Sequence, residues 1–129
     1  MDFATADLST PVGNVPEVLT VSQANLSGSS SARSLGYPGD PYGDSWMLKE
    51  STGSIVPATE DTSKYNSLNF YESDSIRAHH GMSGGPLLNA ENHVIGINSY
   101  EWHDKTTLVE CRWGFRRITS NVYTFLFSI

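Results

Sequence analysis

Ser83 is the residue of this chain whose setting most suggests chemistry. It stands in Gly81-Met82-Ser83-Gly84-Gly85-Pro86, ahead of the apolar pair Leu87-Leu88. Glycine accepts backbone angles and close approaches that a Cβ forbids, so glycines at 81, 84 and 85 let a loop wrap tightly round the hydroxyl. A serine presented in this way is set to attack a carbonyl carbon. The N–H groups of Gly81 and Ser83 would then converge on the oxygen that becomes negative. The competing reading of the same residues is a glycine-rich turn between two strands, with no chemistry. A hydroxyl also needs a base to take its proton, usually a histidine oriented by a buried carboxylate. The histidines are His79, His80, His93 and His103. His79 and His80 are tied to the serine loop itself, too near in sequence to place a ring where the base belongs. His93 beside a hairpin turn and His103 in a loop read as solvated surface residues.

The elements that must position this loop read as strands. Helical periodicity is scarce, and short β-prone runs recur between clusters of glycine, proline, asparagine and serine, which predicts an all-β barrel or sandwich. Expected strands are Glu17–Val21, Ser34–Gly36, Ser45–Lys49, Gly53–Pro57, Ser67–Tyr71, Gly85–Leu88, Val94–Tyr100 and Thr107–Arg112. Tyr37-Pro38-Gly39-Asp40-Pro41 reads as a tight turn. Asn89-Ala90-Glu91-Asn92 reads as a hairpin turn. In the tail, Thr119, Ser120 or Asn121 is placed to cap a helix whose apolar face holds Val122, Phe125 and Leu126. A final strand is the alternative there.

Composition bounds the rest. The 129 residues suit one domain, or part of a larger one. The single cysteine, Cys111, excludes an internal disulfide. No apolar run is long enough to cross a membrane. Met1-Asp2-Phe3-Ala4 has neither a basic start nor an apolar signal core, so the chain is expected to be cytoplasmic or a piece of a longer precursor. A net charge of −6 argues against a nucleic-acid partner. The one basic cluster, Arg112, Arg116 and Arg117, reads as a solvated edge.

Along nearly its whole length the chain resembles chymotrypsin-like serine proteases, and most closely the bacterial glutamyl endopeptidases of staphylococcal type. Asp2-Phe3-Ala4-Thr5-Ala6-Asp7-Leu8 is similar to the family's segment of an aspartate leading into an apolar strand. Gly36-Tyr37-Pro38-Gly39-Asp40, followed by Trp46 and Gly53-Ser54-Ile55, is similar to a turn of the glutamyl group. Gly81–Pro86 resembles the nucleophile loop, and Val94-Ile95-Gly96-Ile97 the strand lining the specificity pocket. Arg117 to Leu126 resembles the last strand and C-terminal helix. The resemblance implies an all-β fold. Residues 1–129 would form the C-terminal six-stranded antiparallel β-barrel of the two-barrel architecture, with a short C-terminal helix.

It also implies roles. Ser83 would be the nucleophile of a serine endopeptidase, Asp2 the triad carboxylate, and Gly81 with Ser83 the oxyanion hole. A polypeptide would be the substrate, and no metal or cofactor is called for. Arg77 or Ala78 would lie at the base of the specificity pocket and His80 at its rim. Asn98, Ser99 and Tyr100 would form one wall, and the segment of Gly114 and Arg116 the other. The glutamyl group carries a histidine where this chain has Asn98. An acidic preference would therefore need another cation, Arg77 or Arg116, unless these are solvated or paired with Asp74 or Glu72. The family's catalytic histidine sits on a first barrel that precedes the aspartate, and that barrel is not in this chain. The chain alone is expected to be inactive or nearly so, and to expose an inter-barrel face suited to dimerisation. Secretion is implied by the resemblance alone. A non-catalytic binding module of the same fold and a viral chymotrypsin-like protease are the alternatives.

Overall fold

In the computed structural model the described residues are 3–10, 13–14, 18–23, 26–41, 47–58 and 69–128. Among them the chain forms β1 (Ser30–Gly36), β2 (Lys49–Pro57), β3 (Phe70–Ser73), β4 (Pro86–Leu88), β5 (Val94–His103), β6 (Glu110–Arg117) and α1 (Ser120–Phe127). The strands close into a barrel in the order β1-β2-β3-β6-β5-β4, every neighbouring pair antiparallel. Closure leaves no open sheet edge among these strands.

The barrel is filled by Ile55, Tyr71, Ile76, Leu87, Ile95, Trp113 and Phe115, with Ala32 and Ala78. Strand β1 contributes a small-residue face. Ala32, Ser34 and Gly36 alternate as its buried positions. That economy of side chain leaves room for residues arriving from the serine loop and from β5.

Several expected elements need correction. Lys49 and the run Gly53–Pro57 belong to one strand, since β2 is continuous from Lys49 to Pro57. Gly53 does not break it. The position is glycine because a Cβ there would collide with the Ser75 hydroxyl. Strand β5 runs on to His103, and β6 starts at Glu110 and continues to Arg117, later than the predicted Thr107–Arg112. Of Glu17–Val21, the described part holds no strand, and Val21 makes only an isolated bridge to Val94. Ser45, Trp46 and Ser67 lie outside the described residues.

The turn at Asn89–Asn92 is present. Asn89 Oδ1 accepts from the N–H groups of Glu91 and His93, and Asn92 takes a left-handed φ of 63°. The tail is a helix, capped by Thr119, whose side chain accepts from Val122 N. It docks mainly through Val122. Phe125 is 38% exposed, so the predicted apolar face is narrower than its sequence suggests. Among the described residues no helix is long and apolar enough to cross a membrane.

Candidate active site

The serine loop is anchored by the residue before its hydroxyl. Met82 is buried and packs on Gly36, where a Cβ would lie 2.8 Å from that of Met82. Burying a methionine side chain stabilises by about 1.5–3 kcal/mol, which ties the loop to the barrel while Ser83 itself stays exposed. Gly81 and Gly84 adopt left-handed φ angles of 95° and 83°, which other residues adopt only under strain.

Most donors of the loop are engaged. Met82 N donates to His79 O at 2.9 Å, Gly84 N to Asn98 O at 3.0 Å, and Gly85 N to Met82 O at 3.0 Å. Among the described residues no acceptor meets the N–H of Gly81 or of Ser83. These are the groups an oxyanion would need.

Gly85 is fixed by crowding. A Cβ there would collide with Leu35 O and lie 3.0 Å from both Asn98 Nδ2 and Met82 O. Gly85→Ala is expected to destabilise the fold by about 1–3 kcal/mol, the usual cost of overpacking. An unchanged urea midpoint would show that the loop gives way freely.

Beside Ser83 lies a cleft of about 130 Å3 lined by Ala78, His79, His80, Ser83, Asn98, Ser99, Tyr100 and Glu101. Larger hollows of about 500 and 540 Å3 lie over β1–β2 near Asn92 and beside Glu72 and Cys111. Neither is lined by Ser83, so size alone does not mark the site.

A family model for a trypsin-like peptidase domain matches residues 1–97. The chain belongs to the trypsin-like peptidase family. A Glu endopeptidase solved in complex with MPD matches over 84% of this chain with a TM-score of 0.56 and 18% identity. The chain spans 45% of that enzyme's length. At this identity the likeness speaks for the fold, a closed chymotrypsin-like barrel with a short helix. No curated protein matches the chain.

In this trypsin-like peptidase chain, Ala78, His80, Asn98, Ser99 and Tyr100 come together around the cleft with Ser83. His79 and Glu101 join them. His79 belongs to the stretch before Ser83 that the resemblance implies for the pocket rim, whereas Glu101 is not implied by it. The His79 ring stands edge-on to Trp113, with centroids 5.7 Å apart. Glu101 pairs across the sheet with the buried Trp113, beyond a bulge between Asn98 and Tyr100 that alternation does not reveal.

Arg77, Arg116 and Gly114 do not line the cleft. Arg77 is exposed, and its backbone N–H donates to Ser51 Oγ. Arg116 lies over the rings of Phe3 and Phe70 and donates to Asn69 O at 2.9 Å. Gly114 is the floor under Tyr100, whose ring would collide with any Cβ there.

Asn98 has its carboxamide engaged inside the barrel. Oδ1 accepts from Ser34 Oγ at 2.8 Å, and Nδ2 donates to Met82 O at 2.9 Å and Leu35 O at 3.2 Å.

Tyr100 crosses Gly114 to reach β3. Its hydroxyl donates to Glu72 Oε1 at 2.8 Å, and Arg112 donates to Glu72 Oε2 at 3.2 Å. Glu72 is buried, which the two donors make tolerable. Burial first, then the bond to Glu72 and its charge, hold the Tyr100 phenol well above its ordinary range. A raised phenol pKa means that the native state keeps the proton more tightly than the unfolded chain does. That stabilisation is complete below pH ~10, the unfolded value, and is lost as pH climbs above it. The fall in urea midpoint between pH 8 and pH 11 should therefore be smaller in Tyr100→Phe than in the parent chain. An equal fall in both would sink the idea.

Among the described residues no histidine is hydrogen-bonded to the Ser83 hydroxyl. His93 is half-buried rather than solvated, with Nδ1 2.9 Å from Ser22 Oγ. His103 ends β5 instead of sitting in a loop, and its Nε2 lies 3.3 Å from Glu101 Oε1. Asp2 lies outside the described residues.

Proposed function

We propose that this chain is the nucleophile-bearing barrel, residues 1–129, of a serine endopeptidase. The observation that carries the reading is the pairing of an exposed Ser83 with free N–H groups at Gly81 and Ser83 on the edge of a cleft. In the reaction a base takes the Ser83 proton as Oγ bonds to the peptide carbonyl carbon. The carbonyl oxygen becomes an oxyanion held by the Gly81 and Ser83 N–H groups. The C–N bond then breaks, the amine leaves with the proton, and water hydrolyses the acyl-serine.

The base is supplied from outside the described residues, by a histidine-bearing barrel of the same gene or of another chain, with Asp2 orienting it. Without that histidine the isolated chain has little activity. The cleft wall of Ala78, His80, Ser99 and Tyr100 would receive the substrate side chain. The family resemblance supports an extracellular setting.

Preference for Glu or Asp beside the scissile bond would rest on His79 and His80, since among the described residues no arginine or lysine lines the cleft. A peptide panel cut by the complete protease tests this, and indifference to acidic residues would end it. Because no histidine among the described residues is hydrogen-bonded to the Ser83 hydroxyl, a second reading is a protease-fold module that only binds. A fluorophosphonate probe separates the two. It should label Ser83 in the complete protease, and a folded but unlabelled protein would favour the binding module.

A further inference from the structure

We propose that Asn98 is a positioning residue for the reaction at Ser83, aiming the Ser83 N–H at the oxyanion by gripping the Met82–Ser83 peptide from the opposite side. This rests on the endopeptidase reading above. A peptide unit is planar and trans, so its C=O and N–H point in opposite directions. Fixing the carbonyl fixes where the N–H points.

The N–H of Ser83 belongs to the same peptide as Met82 C=O. That oxygen accepts from Asn98 Nδ2 at 2.9 Å and from Gly85 N at 3.0 Å, so both of its acceptor directions are used. The N–H of Gly81 shares a peptide with His80 C=O, which accepts from Gly39 N at 2.8 Å. Each proposed oxyanion donor is thus backed by a bond on its far side. One grip comes from β5 and the other from the turn after β1.

The β5 grip is itself held. Asn98 is 4% exposed, and Nδ2 faces two carbonyl oxygens while Oδ1 faces the Ser34 hydroxyl. Only the amide orientation with NH2 towards the carbonyls satisfies all three. Its backbone joins in, because Asn98 N donates to Gly85 O at 2.9 Å and Asn98 O accepts from Gly84 N. The glycine at 85 leaves room for this amide, since a Cβ there would lie 3.0 Å from both Asn98 Nδ2 and Met82 O. Asn98 acts through the Met82–Ser83 peptide, so its effect belongs to the transition state and not to substrate affinity.

The test uses the complete protease with its histidine-bearing barrel. Asn98→Asp keeps the shape but, when ionised, can only accept, so Leu35 O and Met82 O lose the Asn98 Nδ2 donor and Met82 O keeps only Gly85 N. Deleting an oxyanion donor outright costs about 100- to 1,000-fold in kcat. Misaiming one is expected to lower kcat about 10- to 100-fold with KM within about twofold. A peptide boronic acid, which mimics the tetrahedral state, should lose affinity by the same factor, and a product peptide should not.

Ser34→Ala leaves the Nδ2 bonds and frees Oδ1, and should lower kcat by a few fold with KM unchanged. If Asn98→Asp does not fold, Ser34→Ala decides, and an unchanged kcat there overturns the proposal. A folded Asn98→Asp with kcat within threefold of wild type also overturns it, as does a loss confined to KM. Fluorophosphonate labelling of wild-type Ser83 distinguishes the two levels. Labelling with an unaffected variant removes only the clamp, whereas no labelling removes the endopeptidase reading and the clamp with it.

Discussion

Ser83→Ala is expected to abolish fluorophosphonate labelling and to lower kcat of the complete protease by about four to six powers of ten. The chain's one thiol is not placed to take over. Met82 is buried, and the thiol of Cys111 lies on β6 beside a different hollow. The same change should leave stability within about 0.5 kcal/mol, because Ser83 is exposed and its side chain makes no hydrogen bond among the described residues. That separation gives the experiment its force. A large loss of activity at constant urea midpoint assigns the effect to chemistry. Residual turnover within tenfold of wild type would remove Ser83 from the mechanism.

Phe115→Ala carries the largest expected effect on the fold itself. Phe115 is fully buried in the middle of β6, paired across the sheet with Tyr71 on β3 and with Asn98 on β5. Deleting such a ring costs about 3–5 kcal/mol, through lost transfer energy and the cavity left behind. A domain is stable by only about 5–15 kcal/mol, so the variant should unfold at much lower urea and label Ser83 more slowly. Because Phe115 supports Asn98, labelling should fall further than the unfolded fraction alone explains. A loss below about 1 kcal/mol would mean that the barrel collapses round the gap.

What the sequence revealed and what it hid follow from how local each feature is. The serine loop was legible because its glycines are required by backbone angles at Gly81 and Gly84. The asparagine turn and the Thr119 cap were legible for the same reason, since their partners lie within a few residues. Strand ends were less so. Gly53 resembles a break in the chain. The need for it comes from Ser75, which approaches β2 from elsewhere in the fold. Gly114, inside the extension of β6, is covered by Tyr100 of another strand, which no single segment announces.

The pocket was partly legible. The resemblance pointed to Asn98, Ser99 and Tyr100, but not to the bulge between Asn98 and Tyr100 that brings Glu101 opposite Trp113. Resemblance suggested Arg77 and Arg116 as cations for the pocket. Burial and pairing instead hold Arg116 among Phe3, Phe70 and Asn69. The role of Asn98 was hidden because its partners, Ser34, Leu35 and Met82, come from two distant stretches of chain.

The barrel is sealed where β1 meets β4, over only the pairs Arg33↔Leu88 and Ser34↔Leu87. Those strands are far apart in sequence, and pairing of that kind must overcome loop-closure entropy before it gains contacts. The seam is therefore expected to form late in folding. The serine loop runs straight into β4, and the bonds from Asn98 to Leu35 and Met82 cross close to the seam. The geometry around Ser83 is thus expected to be complete only when the seam has closed. In a refolding time course, probe labelling should arrive with the slowest phase of tryptophan fluorescence. Labelling that precedes it would show the loop forming on its own.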